Sequence, residues 1–390
     1  MATKAVMAAP IMTYARARLF LGASAVGTVT VFAALALLLD LPARLLPTVP
    51  GSLATDVGWL VVVVTIHAAV MAPFDLFGGL LLPREYGRSA EGIPRFALRW
   101  ARGVVVYAVS LAMLASALML AARWTGGVGT LVTFVVLALL MVHAQPWLAA
   151  VMGFGRVGPA GAADRVADLG SRGLIVNADH VHVTGGAYGL PGRTGWVTPR
   201  RWLDAGARIA LDEQLLRRRW LSGSGARDRG VVVALIWNGL PVVLMLALDG
   251  APLAVADVVR LGLASTVWSF VGLLVLPTPS RLAVYRADLA ALAAGADRIA
   301  LGAGLRELER DQDDERERSK GVETIFHPVP ASAHRQAVMA GEREPGPAAV
   351  AAWHAARVAL FLSWAGFGLL GRAVHCNVGR PEVWVFLPSD

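Results

Sequence analysis

Residues 230–248 read G-V-V-V-A-L-I-W-N-G-L-P-V-V-L-M-L-A-L, nineteen positions without a charge. At about 1.5 Å per helical residue such a run reaches across a hydrocarbon core about 30 Å thick. Five more uncharged runs of similar length follow the same rule, at 19–39, 57–74, 103–122, 125–155 and 261–277. A seventh, 358–371, is shorter and has His354 and Arg357 at its entrance, so it is expected to span, re-enter or lie in the interface. The first run is long enough to stay in the membrane as an anchor instead of being cleaved.

The rest of the composition agrees with this. Of 390 residues 56% are hydrophobic and 16% charged, with a mean hydropathy of +0.57, which excludes an ordinary water-soluble enzyme. The net charge of +8 rests on 34 arginines and two lysines, Lys4 and Lys320. Because the arginines flank the apolar runs, the expected partner is the lipid bilayer and not nucleic acid. A single cysteine, Cys376, excludes an internal disulfide and any Cys-based zinc or iron–sulfur site.

Arginine also sets the expected sidedness. Residues 1–18 hold Lys4, Arg16 and Arg18, residues 83–102 hold five arginines, and 151–229 hold twelve against seven acids. The alternate stretches are poor in positive charge: 40–56 has Arg44 alone and 249–257 has none. A multi-pass cell-membrane protein with its N-terminus and polar parts in the cytoplasm is expected. Four regions follow: an N-terminal membrane region 1–155 with four spans, a cytoplasmic domain from 156–229 plus 278–350, a helical hairpin 230–277 between its halves, and an apolar helix and tail at 351–390. Within the domain, strands are expected at 173–176, 180–183 and near 208–211, then helices through 212–219, 281–293 and 300–309, with 307–323 solvated or frayed.

Three pieces of the chain carry a resemblance. Residues 208–216 read R-I-A-L-D-E-Q-L-L, residues 280–288 read S-R-L-A-V-Y-R-A-D, and His327-Pro328 follows 39 residues later. The loop Leu82-Pro83-Arg84-Glu85-Tyr86 after the second run adds a fourth. In order and spacing the chain resembles the membrane zinc metalloproteases of the HtpX and CAAX-prenyl-protease type, metallopeptidase family 48. The resemblance implies a mainly α, multispanning helical membrane protein of six or seven transmembrane helices with a cytoplasmic gluzincin-like α+β domain. It also implies zinc on an H-E-x-x-H helix, with a third ligand from the helix that here begins at Ser280.

That chemistry needs two imidazoles one helical turn apart and a carboxylate base on the metal-bound water. Placed on this chain with Gly239 as the motif's glycine, the five positions become Ile236, Trp237, Asn238, Gly239 and Leu240, and the third ligand becomes Val284. Isoleucine, leucine and valine have no lone pair, and tryptophan cannot act as a base. Zinc, the family's cofactor, is therefore expected to be lost, the three positions are expected to pack together, and the protein is read as a pseudoprotease that binds a peptide or membrane-protein partner. Arg281, Asp288, His327 and Arg335 remain as cleft candidates, with Asp288 expected to pair with Arg281 or a backbone donor.

Two other readings compete. His180 and His182 share a strand face and form a weak metal pair, His334 belongs to the same loop as His327, and His375-Cys376 is expected opposite the domain. An enzyme that reuses the cleft, or holds zinc elsewhere, would draw on these. His67, Asp75 and His143 are polar groups inside the spans and would serve a transporter. Asp257 and Arg260 read as an i, i+3 interfacial pair, and Trp100, Trp124, Trp220 and Trp268 as span-end tryptophans.

Overall fold

The computed structural model describes residues 12–161, 173–178, 180–204, 210–363 and 368–386. Five of its helices are long and apolar enough to cross a membrane. They are α1 (Tyr14–Leu38), α3 (Leu53–Leu76), α5 (Ile93–Met152), α7 (Ala226–Leu248) and α8 (Val255–Val275), with the short α2 (Leu41–Leu45) and α4 (Leu82–Glu85) between the first three. A straight α5 of 60 residues would be about 90 Å long, three times a bilayer core. It folds back instead at Gly126, whose φ of 67° and ψ of −157° are open to glycine. The legs meet again where Arg102 donates to the carbonyls of Val151 (2.6 Å) and Ala150 (3.1 Å). The six clear runs of the sequence thus fall on these five long helices, two of them on the two legs of α5.

The long helices close a ring, each touching the next in the order α1, α3, α5, α7, α8 and back to α1. Its outer face is apolar, with Phe20, Val62, Val109, Val132 and Leu244 all exposed. At one end Arg123 of α5 bonds Asp56 (2.6 Å) and the carbonyls of Leu253 and Gly51, and Arg260 reaches Asp40. At the other end Arg16 meets Glu315 (3.2 Å) and the Tyr86 hydroxyl donates to the Met12 carbonyl (2.9 Å). The chain start, the α4–α5 loop and the polar segments therefore share one side. Asp257 does not pair with Arg260; it caps α8 by accepting from the Leu253 and Ala254 N–H groups, while Arg260 turns to Asp40 and Asp249.

The polar segments pack on each other. The first holds β1 (Arg156–Pro159), β2 (Gly173–Asn177), β3 (Gly186–Tyr188) and β4 (Gly195–Pro199) in the order β1-β2-β4-β3, then α6 (Leu211–Gly223). β2 is antiparallel to β1 and parallel to β4. The second holds α9 (Pro277–Ala293), α10 (Arg298–Asp311), α11 (Lys320–Phe326) and α12 (Ser332–Met339). Ile175, Trp202 and Leu215 of the first share a buried core with Leu301, Leu305 and Leu308 of the second. Each such side chain contributes about 1.5–3 kcal/mol of burial.

Several expectations change. Residues 180–183 are a turn and not a strand, because β3 and β4 take the sheet positions beside β2. Of the strand expected near 208–211, residues 208 and 209 lie outside the described residues and Leu211 instead begins α6. The 307–323 stretch is not simply solvated: Arg318 and Glu323 are buried, the first against Asp314 (3.3 Å) and the second against His334 (2.8 Å). The seventh apolar run yields α13 (Ala355–Leu362), eight residues that are too short to span and pack inside the ring, mainly on α7.

Candidate functional site

The centre of the ring is filled by the chain's own residues 351–363 and 368–386, nearly all of them buried. The helices are built to receive them. A side chain at Gly103 of α5 would overlap Pro381, and one at Gly230 of α7 would overlap the Trp353 carbonyl, so glycine is needed for these close approaches.

Polar groups fix this segment. Arg372, fully buried, donates to Asp75 of α3 (2.5 Å), and its guanidinium lies over Trp384 (4.4 Å) and Tyr107 (5.2 Å). Asp75 also accepts from the Trp100 indole (2.9 Å) and the Gly379 N–H (2.9 Å). Charge pairing of this quality is what permits an ion to stay in a dry interior. One end of the segment reaches the polar layer. There Glu382 accepts from Arg99 (2.6 Å) and meets His182 (2.9 Å). Burial alone would raise the Glu382 pKa, but His182 and Arg99 outweigh it and hold the carboxyl below the usual range. Burial lowers His182 to about 4, with Arg380 assisting and Glu382 opposing.

Below the ring Asp288 of α9 is fully buried between two arginines. Arg335 donates to both of its oxygens (2.7 and 2.7 Å) and Arg217 of α6 to one (2.6 Å). Desolvation would raise its pKa, and Arg335 and Arg217 reverse that, so the net direction is down. Arg281 does not join this pair. It donates to the carbonyls of Glu323 (2.9 Å), Thr324 (3.0 Å) and His327 (3.2 Å), holding the end of α11. His327 is buried 3.7 Å from Asp314, its ring 5.1 Å from that of His375. The burial of His327, with Arg318 and His375 near it, lowers its pKa well below the ordinary imidazole value. His375 therefore lies on the same side as the polar layer, not opposite it, because the tail re-enters the ring.

The three positions expected to converge do not. Ile236 and Leu240 face outward at 60% and 38% exposure, whereas Val284 is 1% exposed in a cluster with Leu221, Ala226, Ala351 and Trp353. Ala226, which does meet Val284's cluster, lies ten residues and about 15 Å along α7 from Ile236. The inward row of α7 is instead Arg227, Gly230, Val231, Ala234 and Asn238. Trp237 points sideways and stacks on Trp268 of α8 (4.7 Å), so Trp268 is a mid-helix contact.

The remaining polar candidates also separate. His67 is buried beside Tyr107 (5.8 Å), Asp75 is bound to Arg372, and His143 faces outward against Trp147 (5.5 Å). His180 and His182 stack 5.1 Å apart, but the carboxylate beside them, Glu382, is 200 residues away in sequence. Sequence reading missed Arg217, Arg372 and Glu382. For Arg372 and Glu382 the one legible signal was charge beside apolar stretches; Arg217, among other charges in 212–219, had none.

The fold and its interior define a multispanning helical membrane protein whose polar segments form one layer at one end of the ring. Among solved structures it is similar to Ste24p of S. mikatae, with a TM-score of 0.59 over 74% of this chain and 76% of that one, at 13% identity. That neighbour belongs to the metallopeptidase family 48 that the sequence resembles, so the likeness supports this fold. No family model matches the chain, and no curated protein matches its sequence.

Proposed function

We propose that the protein is a catalytically inactive relative of these membrane metalloproteases, whose polar layer derives from the gluzincin-like domain and serves to bind a peptide or a membrane-protein partner. The observation that carries the reading is the inward row of α7. Gly230, Val231 and Ala234 offer no lone pair, Arg227 offers a cation, and Asn238 already donates to the Ala234 carbonyl (2.9 Å). Facing them, Val284 sits among alanines and tryptophans. These residues do not fit a zinc ion, which needs about three nitrogen, sulfur or oxygen donors. A filled ring centre further favours a scaffold over an enzyme.

One observation favours a second reading, a relocated metal site. Donor atoms of Asp314, His327 and His375 lie within 4.8 Å of one another. Arg318, bound to Asp314, and the nearby Arg357 oppose a dication there. Metal analysis separates the two. The purified chain is expected to hold far less than one zinc and to cleave no peptide with zinc added. Close to one zinc per chain, lost in both His327→Gln and His375→Gln, would establish the second reading instead.

The arginine counts support a cytoplasmic polar layer. Cysteine introduced at the exposed Glu317 should then be shielded from an impermeant maleimide in intact cells, whereas cysteine at the exposed Val49 should be labelled. The reverse pattern would invert the orientation.

A further inference from the structure

At the polar-layer end of α1 and α8 a small pocket of about 60 Å³ lies between the two helices. Its side walls are two apolar rows, Leu19, Ala23 and Val26 along one face of α1 and Phe270, Leu273 and Leu274 on α8. Ile325 and Phe326 of α11 stand with Leu274 at its mouth, at 38%, 39% and 42% exposure. At its inner end, supplied by the segment that fills the ring, are Arg357 of α13, His375 and Cys376.

Arg357 is the group that gives this pocket its chemistry. Among the described residues its one polar contact is the Cys376 thiol, to which Nη1 donates at 3.8 Å, and its buried Nε has no partner. The acid whose field reaches it, Asp314, is committed elsewhere, to Arg318 (3.3 Å) and His327 (3.7 Å). A cation held among apolar walls without a carboxylate is costly, and an anion that enters beside it offsets the cost. A carboxylate matches a guanidinium through two parallel N–H···O bonds. The size of the pocket favours it over a phospholipid head. About 60 Å³ holds about four to six water-sized groups, enough for a carboxylate and its first methylenes but not for a glycerophosphate. A hydrocarbon chain attached to that carboxylate lies between the α1 and α8 rows and leaves past Ile325 and Phe326 into lipid.

We propose that this pocket binds the carboxylate of a long-chain fatty acid, with Arg357 as its counter-ion and the α1 and α8 rows around its chain. The reading of α7 as a lost zinc site does not enter into this. The test follows the melting temperature of the full chain in neutral detergent at alkaline pH, where a fatty acid is ionised, with EDTA present so that no metal at His375 contributes. The probes are dodecanoate, dodecanol, acetate and dioctanoyl-phosphatidic acid. Dodecanoate is expected to raise the melting temperature, whereas dodecanol, which lacks the charged head, and acetate, which lacks the chain, are not. Arg357→Met should weaken the apparent affinity for dodecanoate about tenfold or more, the effect of a lost charge-assisted contact. Arg298→Gln, at an exposed arginine of α10 outside the pocket lining, should leave it unchanged. Equal stabilisation by dodecanol, an undiminished dodecanoate shift in Arg357→Met, or no shift with any probe would overturn the proposal. A phosphatidic acid shift larger than that of dodecanoate, and lost in Arg357→Met, would also overturn it by assigning the site to a lipid phosphate. Should Arg357→Met fail to fold, Leu274→Trp at the exposed mouth decides, because a bulky ring there should block the chain and remove the dodecanoate shift, and an unchanged shift would refute the site.

Discussion

Asp75→Ala is expected to destabilise the protein by about 3–5 kcal/mol, the usual cost of leaving a buried ion without its partner. Arg372 would keep its charge in the ring centre with no carboxylate, and the Trp100 and Gly379 N–H groups would lose their acceptor. Against a total stability of about 5–15 kcal/mol, that is enough to remove most folded material at growth temperature. Asp75→Asn, which keeps an acceptor oxygen, should fall between. Asp75→Ala combined with Arg372→Leu should recover more than half of the loss, because the charge that needed a partner is gone. Fluorescence-detected size exclusion after a temperature ramp reads all three. An Asp75→Ala protein that melts with the parent would show that residues 368–386 do not sit where Arg372 and Asp75 meet.

A comparable loss is expected for Asp288→Ala, again about 3–5 kcal/mol, since Arg217 and Arg335 are both buried and share this one carboxylate. The polar layer, not the ring, should fail first, so limited proteolysis should cut within 277–350 while the long helices stay intact. Replacing all three groups with apolar residues of similar size (Asp288→Leu, Arg217→Met, Arg335→Met) should restore much of the stability. The pH dependence has a definite sign. A carboxyl whose folded pKa lies below its ordinary 3.8 contributes above that value and loses the contribution as pH falls through the lower folded value. Asp288→Ala should therefore flatten the acid limb of a stability profile below about pH 4. Unchanged acid sensitivity would assign that limb to other groups.

Much of the membrane architecture was legible because spanning helices obey a rule that one residue run can reveal: no charge for about 20 positions. The five long apolar helices came through that rule, the two runs merged in α5 included. The α6 helix was legible from residue pattern, and the resemblance singled out Asp288 and Arg335 as separate candidates, but the expected partner of Asp288 was Arg281 or a backbone donor, and neither its contact with Arg335 nor that with Arg217 was foreseen. The misplaced α7 positions have a physical cause. Inside a uniformly apolar helix no polar stripe marks which face turns inward, so a register error of several residues leaves no trace in the sequence. The rows that do face inward, from Arg227 to Asn238, became visible only from what packs on them. The tail was illegible for a different reason: Arg372, Arg380 and Glu382 read as solvated charges until partners some 67 to 297 residues distant are known.

The placement of residues 351–363 and 368–386 also sets an order of events in making the protein. These residues leave the ribosome after all five long helices have been synthesised, yet they supply the groups that Arg18, Asp75 and Arg99 bond, across sequence gaps of 357, 297 and 283 residues. Contacts this distant close late and slowly. Until they close, the inserted helices surround nothing that their inward glycines and charges can pack against. Maturation of this fold thus includes a late step in which residues 368–386 enter a half-built bundle, and until then its exposed interior is at risk of degradation or mispairing.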